Sequence, residues 1–328
     1  MRIRIALTNG DKLLTTIDEK NPYAFGGEGN IYHFYHERYM ECFLKIYKDS
    51  EKARNNRAKI VYLIRKGLPY IDHNIRYCWP IGTVYDEKGI NFLGFVMRSA
   101  IVGSRNLCIL TNHNIGHTLH DDYPQSPEWH KYELSTVEGL RMRLQVLAKL
   151  AEAVNGLHRG GEYCVVDLKP ENIFITPDGD VSIIDIDSIQ VKTNNVFHKA
   201  TAFTPNYFPE EAYEPWKAKA PLDRSCDSFA FGVCAYMILT GTHPYNNVIL
   251  DEAYEDCTTI SMRIKNNLYY RGPKAAHIHR VSDKYDLHHY VNRLPLAIRL
   301  LFDRTFTNDS YSRPTMHEWL NAFRNITI

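Results

Sequence analysis

The chain has 328 residues, 44% of them apolar and 23% charged, and a net charge of +1. That length supports more than one hydrophobic core, and a near-neutral balance provides no field that would favour nucleic acid or an anionic membrane. Seven cysteines with no C-x-x-C pair and no framework spacing read as reduced core thiols of a cytoplasmic protein. Ile3 to Leu7 is too short for the apolar part of a leader peptide, and Phe229 to Leu239, the longest apolar run, is too short to span a bilayer.

Arg2 to Leu7 alternates and reads as a strand, Asn9-Gly10 as a hairpin turn, and Lys12 to Ile17 as the returning strand. Ala24-Phe25-Gly26-Gly27-Glu28-Gly29-Asn30-Ile31-Tyr32 places a glycine-rich turn between two strands. There backbone N–H groups can approach phosphates with no Cβ in the way. In Cys42-Phe43-Leu44-Lys45-Ile46-Tyr47 a lysine interrupts an apolar strand, which is costly for a buried charge unless it is paired. Taken alone, the residue also suits an edge strand with its ammonium in solvent. Ser50 to Arg65 is helix-like, with Glu51 as its one glutamate. A first-turn glutamate has a plain dipole explanation, so its pairing with Lys45 stays open. Trp79 to Tyr85 and Asn91 to Met97 read as strands around the turn Asp86-Glu87-Lys88-Gly89.

Thr111 to Glu133 has loop composition, with His113, His117, His120, His130, Pro124 and Pro127. The histidine spacing also suits a metal on one helical face, but no second cluster completes such a site, and a solvated loop is the expectation. Ser135-Thr136-Val137-Glu138 has the form of a capping box. It opens an amphipathic helix with Leu140, Leu144, Leu147, Ala151, Val154 and Leu157 on its apolar face.

Val165-Val166-Asp167-Leu168-Lys169-Pro170-Glu171-Asn172 and Ile183-Ile184-Asp185-Ile186-Asp187 follow. Short β-type runs, Tyr163 to Val166, Asn172 to Ile175 and Val181 to Ile184, frame them, with a turn at Pro177-Asp178-Gly179-Asp180. The chemical logic is phosphoryl transfer. Asp167 can orient an attacking hydroxyl and accept its proton, Lys169 can neutralise charge on the moving group, and Asn172 and Asp185 are hard oxygen ligands that suit Mg²⁺. Ser188 to Phe208 is polar and mobile in composition. Asp223 to Val233 begins a nearly all-apolar helix ending at Thr240-Gly241, and Asp227 in its first turn calls for backbone N–H partners.

The spacing D-x-x-x-x-N resembles the catalytic loop of protein kinases, with Asp185-Ile186-Asp187 where that family has D-F-G. The glycine-rich turn, the strand lysine, Thr204-Pro205-Asn206-Tyr207…Pro209-Glu210-Glu211 and Ser312-Arg313-Pro314-Thr315 resemble further kinase elements in the same order. The resemblance implies an α+β, bilobal kinase-like fold. Residues 1–98 would form a small β-rich lobe with an added N-terminal hairpin, and 99–328 a larger, mainly helical lobe. It implies ATP with Mg²⁺ or Mn²⁺, Asp167 and Lys169 as catalytic groups, and Asn172 and Asp185 as metal ligands. Nucleotide would be held by Ala24, Phe25, Gly26, Gly27, Glu28, Gly29, Ile31 and Lys45, and by a hinge of Met97, Arg98, Ser99 and Ala100. The arginine of R-P-T would pair with Glu210 or Glu211, and Thr204 would contact Asp167 and Lys169. Thr193, Thr201 and Thr204 are the loop hydroxyls to watch for phosphorylation.

The G-G-E-G-x-I-Y, W-P-x-G, G-F-V-M and D-I-D-S motifs look like a bacterial branch of eukaryotic-like Ser/Thr protein kinases. That branch often occurs beside metal-dependent protein phosphatases, which makes such a phosphatase an implied partner alongside a protein substrate with a Ser or Thr acceptor. Three departures stand out. Val165-Val166-Asp167 replaces H-R-D, so the arginine that reads a loop phosphate is missing. Asp187 replaces a flexible glycine, and Ala24 replaces the first glycine of the turn. These departures keep a second reading open, a pseudokinase acting as a nucleotide-binding scaffold. A small-molecule phosphotransferase is a third, disfavoured because such enzymes lack the Asp227 helix opening and the R-P-T element.

Overall fold

The computed structural model describes residues 1–70, 72–111, 116–280, 286–306 and 309–326. The chain forms two compact units, one of Met1–Val102 with Ser182–Asp187, the other of Gly103–Val181 with Ser188–Ile328.

In the first unit, β1 (Arg2–Leu7), β2 (Lys12–Thr16), β3 (Ala24–Phe25), β4 (Gly29–His36) and β5 (Met40–Tyr47) precede the helix α1 (Ser50–Lys66). Strands β6 (Ile75–Tyr77), β7 (Pro80–Asp86) and β8 (Phe92–Arg98) follow it. Seven of them make one sheet in the order β2-β1-β7-β8-β5-β4-β3. The N-terminal hairpin is therefore an added edge, as its sequence implied. Alternation along β1 turns Ile3, Ile5 and Leu7 into a core with Tyr32, Cys42, Leu44, Val84 and Val96. Gly94 lets β8 lie flat on β5, since a Cβ there would sit 1.9 Å from the Lys45 carbonyl oxygen.

Helix α1 starts where the Asp49 side chain accepts from the Lys52 N–H, and it buries Ala53, Asn56, Lys59, Ile60 and Leu63. The Trp79 indole N–H donates to the Leu63 carbonyl at 2.9 Å. Ser182–Asp187 groups with this unit. The Cys78 N–H donates to Ile183 O at 2.9 Å, Ile101 N–H to Ser182 Oγ at 3.0 Å, and Ile184 packs against the cluster around Tyr47 and Phe95.

The second unit is mainly helical. Its helix Val137–His158 begins at Thr136, whose Oγ1 accepts from the Gly139 N–H at 2.9 Å. The N-cap is therefore Thr136 with Gly139 at the third helical position, so the expected capping box does not form, and Glu138 lies inside the first turn. Gly139 is required there, because a Cβ would meet the Glu133 carbonyl oxygen at 1.8 Å. The helix Ser225–Thr240 is buried along nearly its whole length and stops at Gly241 with φ 78°. Arg143, 2% exposed, ties elements together by donating to Tyr132 O at 2.7 Å, Leu110 O at 2.8 Å and Ile238 O.

Two stretches differ from their composition. Residues between Thr111 and Glu133 are not simply a solvated loop, since Trp129 and Tyr132 are fully buried and short helices span Leu119–Asp122 and Pro127–Tyr132. The anchors are too few and too widely spaced to leave a periodic signal. His113 lies outside the described residues. The rings of His120 and His130 are 4.7 Å apart, and among the described residues no group of three or more His, Cys, Asp or Glu is placed to hold a metal. Ser188 to Phe208 is partly structured. Gln190–Lys192 pairs with both Tyr163–Cys164 and Phe197–His198, and Ser188, Ile189, Gln190, Val191 and Phe208 are buried. The cysteines are all free, and six of the seven are buried. Among the described residues no helix is long and apolar enough to cross a membrane.

Candidate functional site

The second unit gathers Asp167, Lys169, Asn172 and Thr204. Lys169 Nζ lies 2.9 Å from Asp167 Oδ2 and donates to Thr204 Oγ1 at 2.8 Å. The Thr204 hydroxyl in turn donates to Asp167 Oδ1 at 2.7 Å. Asn172 Nδ2 reaches the Asp167 carbonyl at 2.9 Å and Oδ2 at 3.2 Å, which leaves the amide oxygen of Asn172 pointing elsewhere. Asp167 is thus held by Thr204 and Asn172 while lying next to the Lys169 cation.

The backbone beneath this cluster is forced. Val166 has φ 67°, a left-handed value that a β-branched residue rarely adopts, at a cost of about 1–3 kcal/mol. Asp227, with no exposed surface, offsets it. Its Oδ2 accepts from the Val165 N–H and its Oδ1 from the Val166 N–H, each at 2.7 Å, and His158 Nε2 adds a third bond at 2.8 Å. The helix Ser225–Thr240 therefore clamps the turn that presents Asp167, which answers the demand for N–H partners raised by a buried first-turn carboxylate. Arg313 donates to Glu211, not Glu210, and also to the Thr305 carbonyl at 3.2 Å. Thr193 caps a turn by accepting from Asn195 N–H at 3.3 Å and Val196 N–H at 3.0 Å.

The first unit gathers Lys45, Asp185, Asp187 and Tyr47. Lys45 Nζ donates to Asp185 Oδ1 at 2.6 Å and to Asp187 Oδ1 at 2.8 Å. The Tyr47 hydroxyl donates to Asp187 Oδ2 at 3.0 Å. Lys45 and Tyr47 are two apart on β5 and share a face. Burial opposes the Lys45 ammonium, but Asp187 and Asp185 outweigh it and raise its pKa. Burial likewise lifts the Asp187 carboxyl above the usual range, against the pull of Lys45. Glu51 is exposed at the start of α1, and the carboxylates that hold Lys45 come from residues 185 and 187 instead. The pairing of Glu51 with Lys45, left open by the sequence, is not the one seen here. Asp185 has φ 59°.

In the glycine-rich turn, Ala24 pairs with Ile31 and Phe25 with Asn30. Gly26 and Gly29 are packing requirements, since a Cβ would meet Gly29 O at 2.7 Å and Ile46 O at 2.6 Å respectively. Gly27 has open space where its Cβ would be, so nothing in the fold demands a glycine there. Burial raises the Glu28 carboxyl pKa, while Lys45 and Lys59 oppose the shift. Along the connector, Met97 and Ser99 are buried, Arg98 is exposed with its guanidinium 5.8 Å from the Tyr39 ring centroid, and Ala100 packs against the Tyr47 cluster.

Two buried charges were not foreseen from the sequence. Asp187 registered only as a replaced glycine, and Lys59 was not singled out. The alternation of β5, which puts Tyr47 on the same face as Lys45, was the available signal for a second buried polar partner.

A model of the protein kinase domain matches residues 106–323. The serine/threonine-protein kinase MRCK gamma of Homo sapiens is 32% identical over 111 residues, 33% of this chain and 7% of that protein. The serine/threonine-protein kinase WNK of Caenorhabditis elegans is 40% identical over 81 residues, 24% of this chain and 4% of that protein. The dual specificity mitogen-activated protein kinase kinase sek-1 of Caenorhabditis elegans is 31% identical over 117 residues, 36% and 30% of the two chains. The matched stretch is less than a tenth of the length of the first two relatives.

Proposed function

This chain belongs to the protein kinase domain family and has its α+β fold, and from that premise we propose that it is an ATP- and Mg²⁺-dependent kinase acting on Ser or Thr hydroxyls of a protein. The observation that carries the reading is the bonding around Asp167, with Thr204, Lys169 and Asn172 fixing both carboxylate oxygens. In this mechanism Asp167 orients the acceptor hydroxyl and takes its proton as the oxygen–phosphorus bond forms and the bond to the departing ADP oxygen breaks. Lys169 neutralises charge spreading over the transferring group, and Lys45 pairs the α- and β-phosphates.

The residues fit the implied cofactors. Gly27 leaves its backbone approachable, and the Asp185 side chain is 30% exposed beside the buried lysine. Asn172 and Asp185 would each offer Mg²⁺ a hard oxygen ligand. Bound there, Mg²⁺ would neutralise phosphate charge. Residues 24–29 and 31 would cover the nucleotide, Met97–Ala100 would read its base, residues 1–98 would act as the nucleotide lobe and 99–328 as the catalytic lobe. The D-I-D-S and G-G-E-G motifs support assignment to the bacterial eukaryotic-like branch, with a metal-dependent phosphatase as a partner and the cytoplasm as its location.

The test is Mg²⁺-dependent transfer of labelled phosphate from ATP. Transfer should vanish in Asp167→Ala while the melting temperature holds. Nucleotide binding without transfer in the wild type would favour the scaffold reading, for which the missing H-R-D arginine speaks.

A further inference from the structure

In a kinase the strand lysine needs a carboxylate to hold it, and the expected source is the helix after that strand. Here α1 offers none at the right place. Its one glutamate is at the exposed first turn, and the inward face carries Ala53, Asn56, Lys59, Ile60 and Leu63. The charged group on that face is a cation, Lys59, 2% exposed. The carboxylate instead arrives from residue 187, with no exposed surface, using one oxygen for Lys45 and the other for Tyr47.

We propose that Asp187 is the positioning residue for Lys45, in a charge-inverted arrangement in which the loop after Ile183 supplies the acid and α1 supplies the cation Lys59. This rests on the kinase reading above. Two carboxylates touch Lys45, but they are not equivalent. The Asp185 side chain is 30% exposed and reachable by a ligand, whereas that of Asp187 is 1% exposed. Asp187 is thus the permanent partner and Asp185 the exchangeable one. Lys59 senses Asp187, Glu28, Lys45 and Asp185, and desolvation brings its pKa down to about 8. Burying two lysines next to a lone acid would leave excess charge in the core, so Asp187 and Asp185 are both needed for balance. The lysine is consequently aligned without any acid on α1, and α1 has no need to swing inward to complete the site.

The test compares variants of the full chain by ATP·Mg²⁺ affinity (titration calorimetry), by kcat and KM, and by melting temperature. Asp187→Asn preserves shape and removes charge, and nucleotide affinity should fall about ten- to a hundredfold, the loss expected for a bond to a charged group. Glu51→Ala should leave affinity within about twofold, as for an exposed residue away from special features. The decisive arm is rescue. Asp187→Gly should lose affinity, and adding Lys59→Glu, which returns the acid to the helix, should recover at least about tenfold of it, a pair coupling within the usual range for contacting charges.

A purely structural Asp187 would lower the melting temperature of Asp187→Asn and leave Kd and KM of the folded protein unchanged, which overturns the proposal. So does a loss of affinity in Glu51→Ala. Should Asp187→Asn fail to fold, the Asp187→Gly, Lys59→Glu pair and Tyr47→Phe decide by the same affinity readout. Lys45→Met separates the two levels of inference. If it weakens nucleotide binding and the Asp187 variants do not, only this proposal falls; if it changes nothing, the kinase reading falls with it.

Discussion

The two charged clusters are built in opposite ways. That of the second unit is largely local, with Asp167, Lys169 and Asn172 on one short turn, and it is held from below by Asp227 through backbone N–H groups. That of the first unit is assembled from residues 140 and 142 positions apart in sequence, and it is held by direct contact between charges, Lys45 and Asp187 buried and Asp185 partly so. In the local cluster, geometry comes from backbone conformation and a strained Val166. In the distant one it comes from electrostatic balance in a low-dielectric core, where each charge is costly without its partner. The first should therefore respond to mutation mainly in kcat, and the second mainly in nucleotide affinity.

The largest effect should follow from removing the clamp under the local cluster. Asp227→Ala strands two buried N–H groups and should cost about 2–6 kcal/mol of stability by urea unfolding, at roughly 1–3 kcal/mol for each orphaned group. Retention of wild-type stability would show that the turn holds itself. A pH titration of stability should come next. Burial lowers the His243 pKa from 6.5 to about 4. Its Nε2–H donates to Asn206 O at 2.9 Å and its Nδ1 accepts from Tyr245 N–H at 3.3 Å, a pattern only the neutral ring can make. Below pH 6.5 the unfolded ring takes up a proton that the folded ring refuses. Stability is therefore full above pH 6.5 and lost as pH falls toward 4, by on the order of 3 kcal/mol. His243→Asn should flatten that limb of the curve, and an unchanged slope would put the acid sensitivity elsewhere.

Thr204→Val tests the split between clusters most sharply. It removes the hydroxyl shared by Asp167 and Lys169 and should lower kcat about tenfold, one hydrogen bond's worth, with nucleotide KM unchanged. A rise in KM with constant kcat would mean that Thr204 serves binding instead. Smallest of all is the effect of stripping phosphate from the purified protein. With Val166 where a phosphate-reading arginine would stand, activity should stay within about twofold, since no charge-assisted bond is lost. Abolished activity would contradict this.

What was legible in the sequence follows from the same contrast. Asp167, Lys169 and Asn172 could be read because short spacing fixes their neighbourhood, and Asp227 could be read because a carboxylate in an all-apolar helix must bond backbone. The N-terminal hairpin was legible from its alternation and its Asn9-Gly10 turn. Pairing over long sequence distances was not. Glu51 was an open candidate partner of Lys45 as the one glutamate of the helix after that strand, whereas the fold brings Asp187 to the lysine and turns Lys59 inward. The buried Trp129 and Tyr132 were hidden for a related reason, since isolated anchors in a polar stretch give no period to detect.

The central claim is that this chain transfers phosphate from ATP to Ser or Thr hydroxyls, and autophosphorylation from Mg²⁺·ATP by wild type beside Asp185→Asn tests it most directly. The account predicts incorporation at Ser or Thr in the wild type and a loss of at least about a hundredfold in the variant, the scale of removing one charge-stabilising group from phosphoryl transfer. Equal incorporation by the two proteins, or none by either despite nucleotide binding, would contradict it.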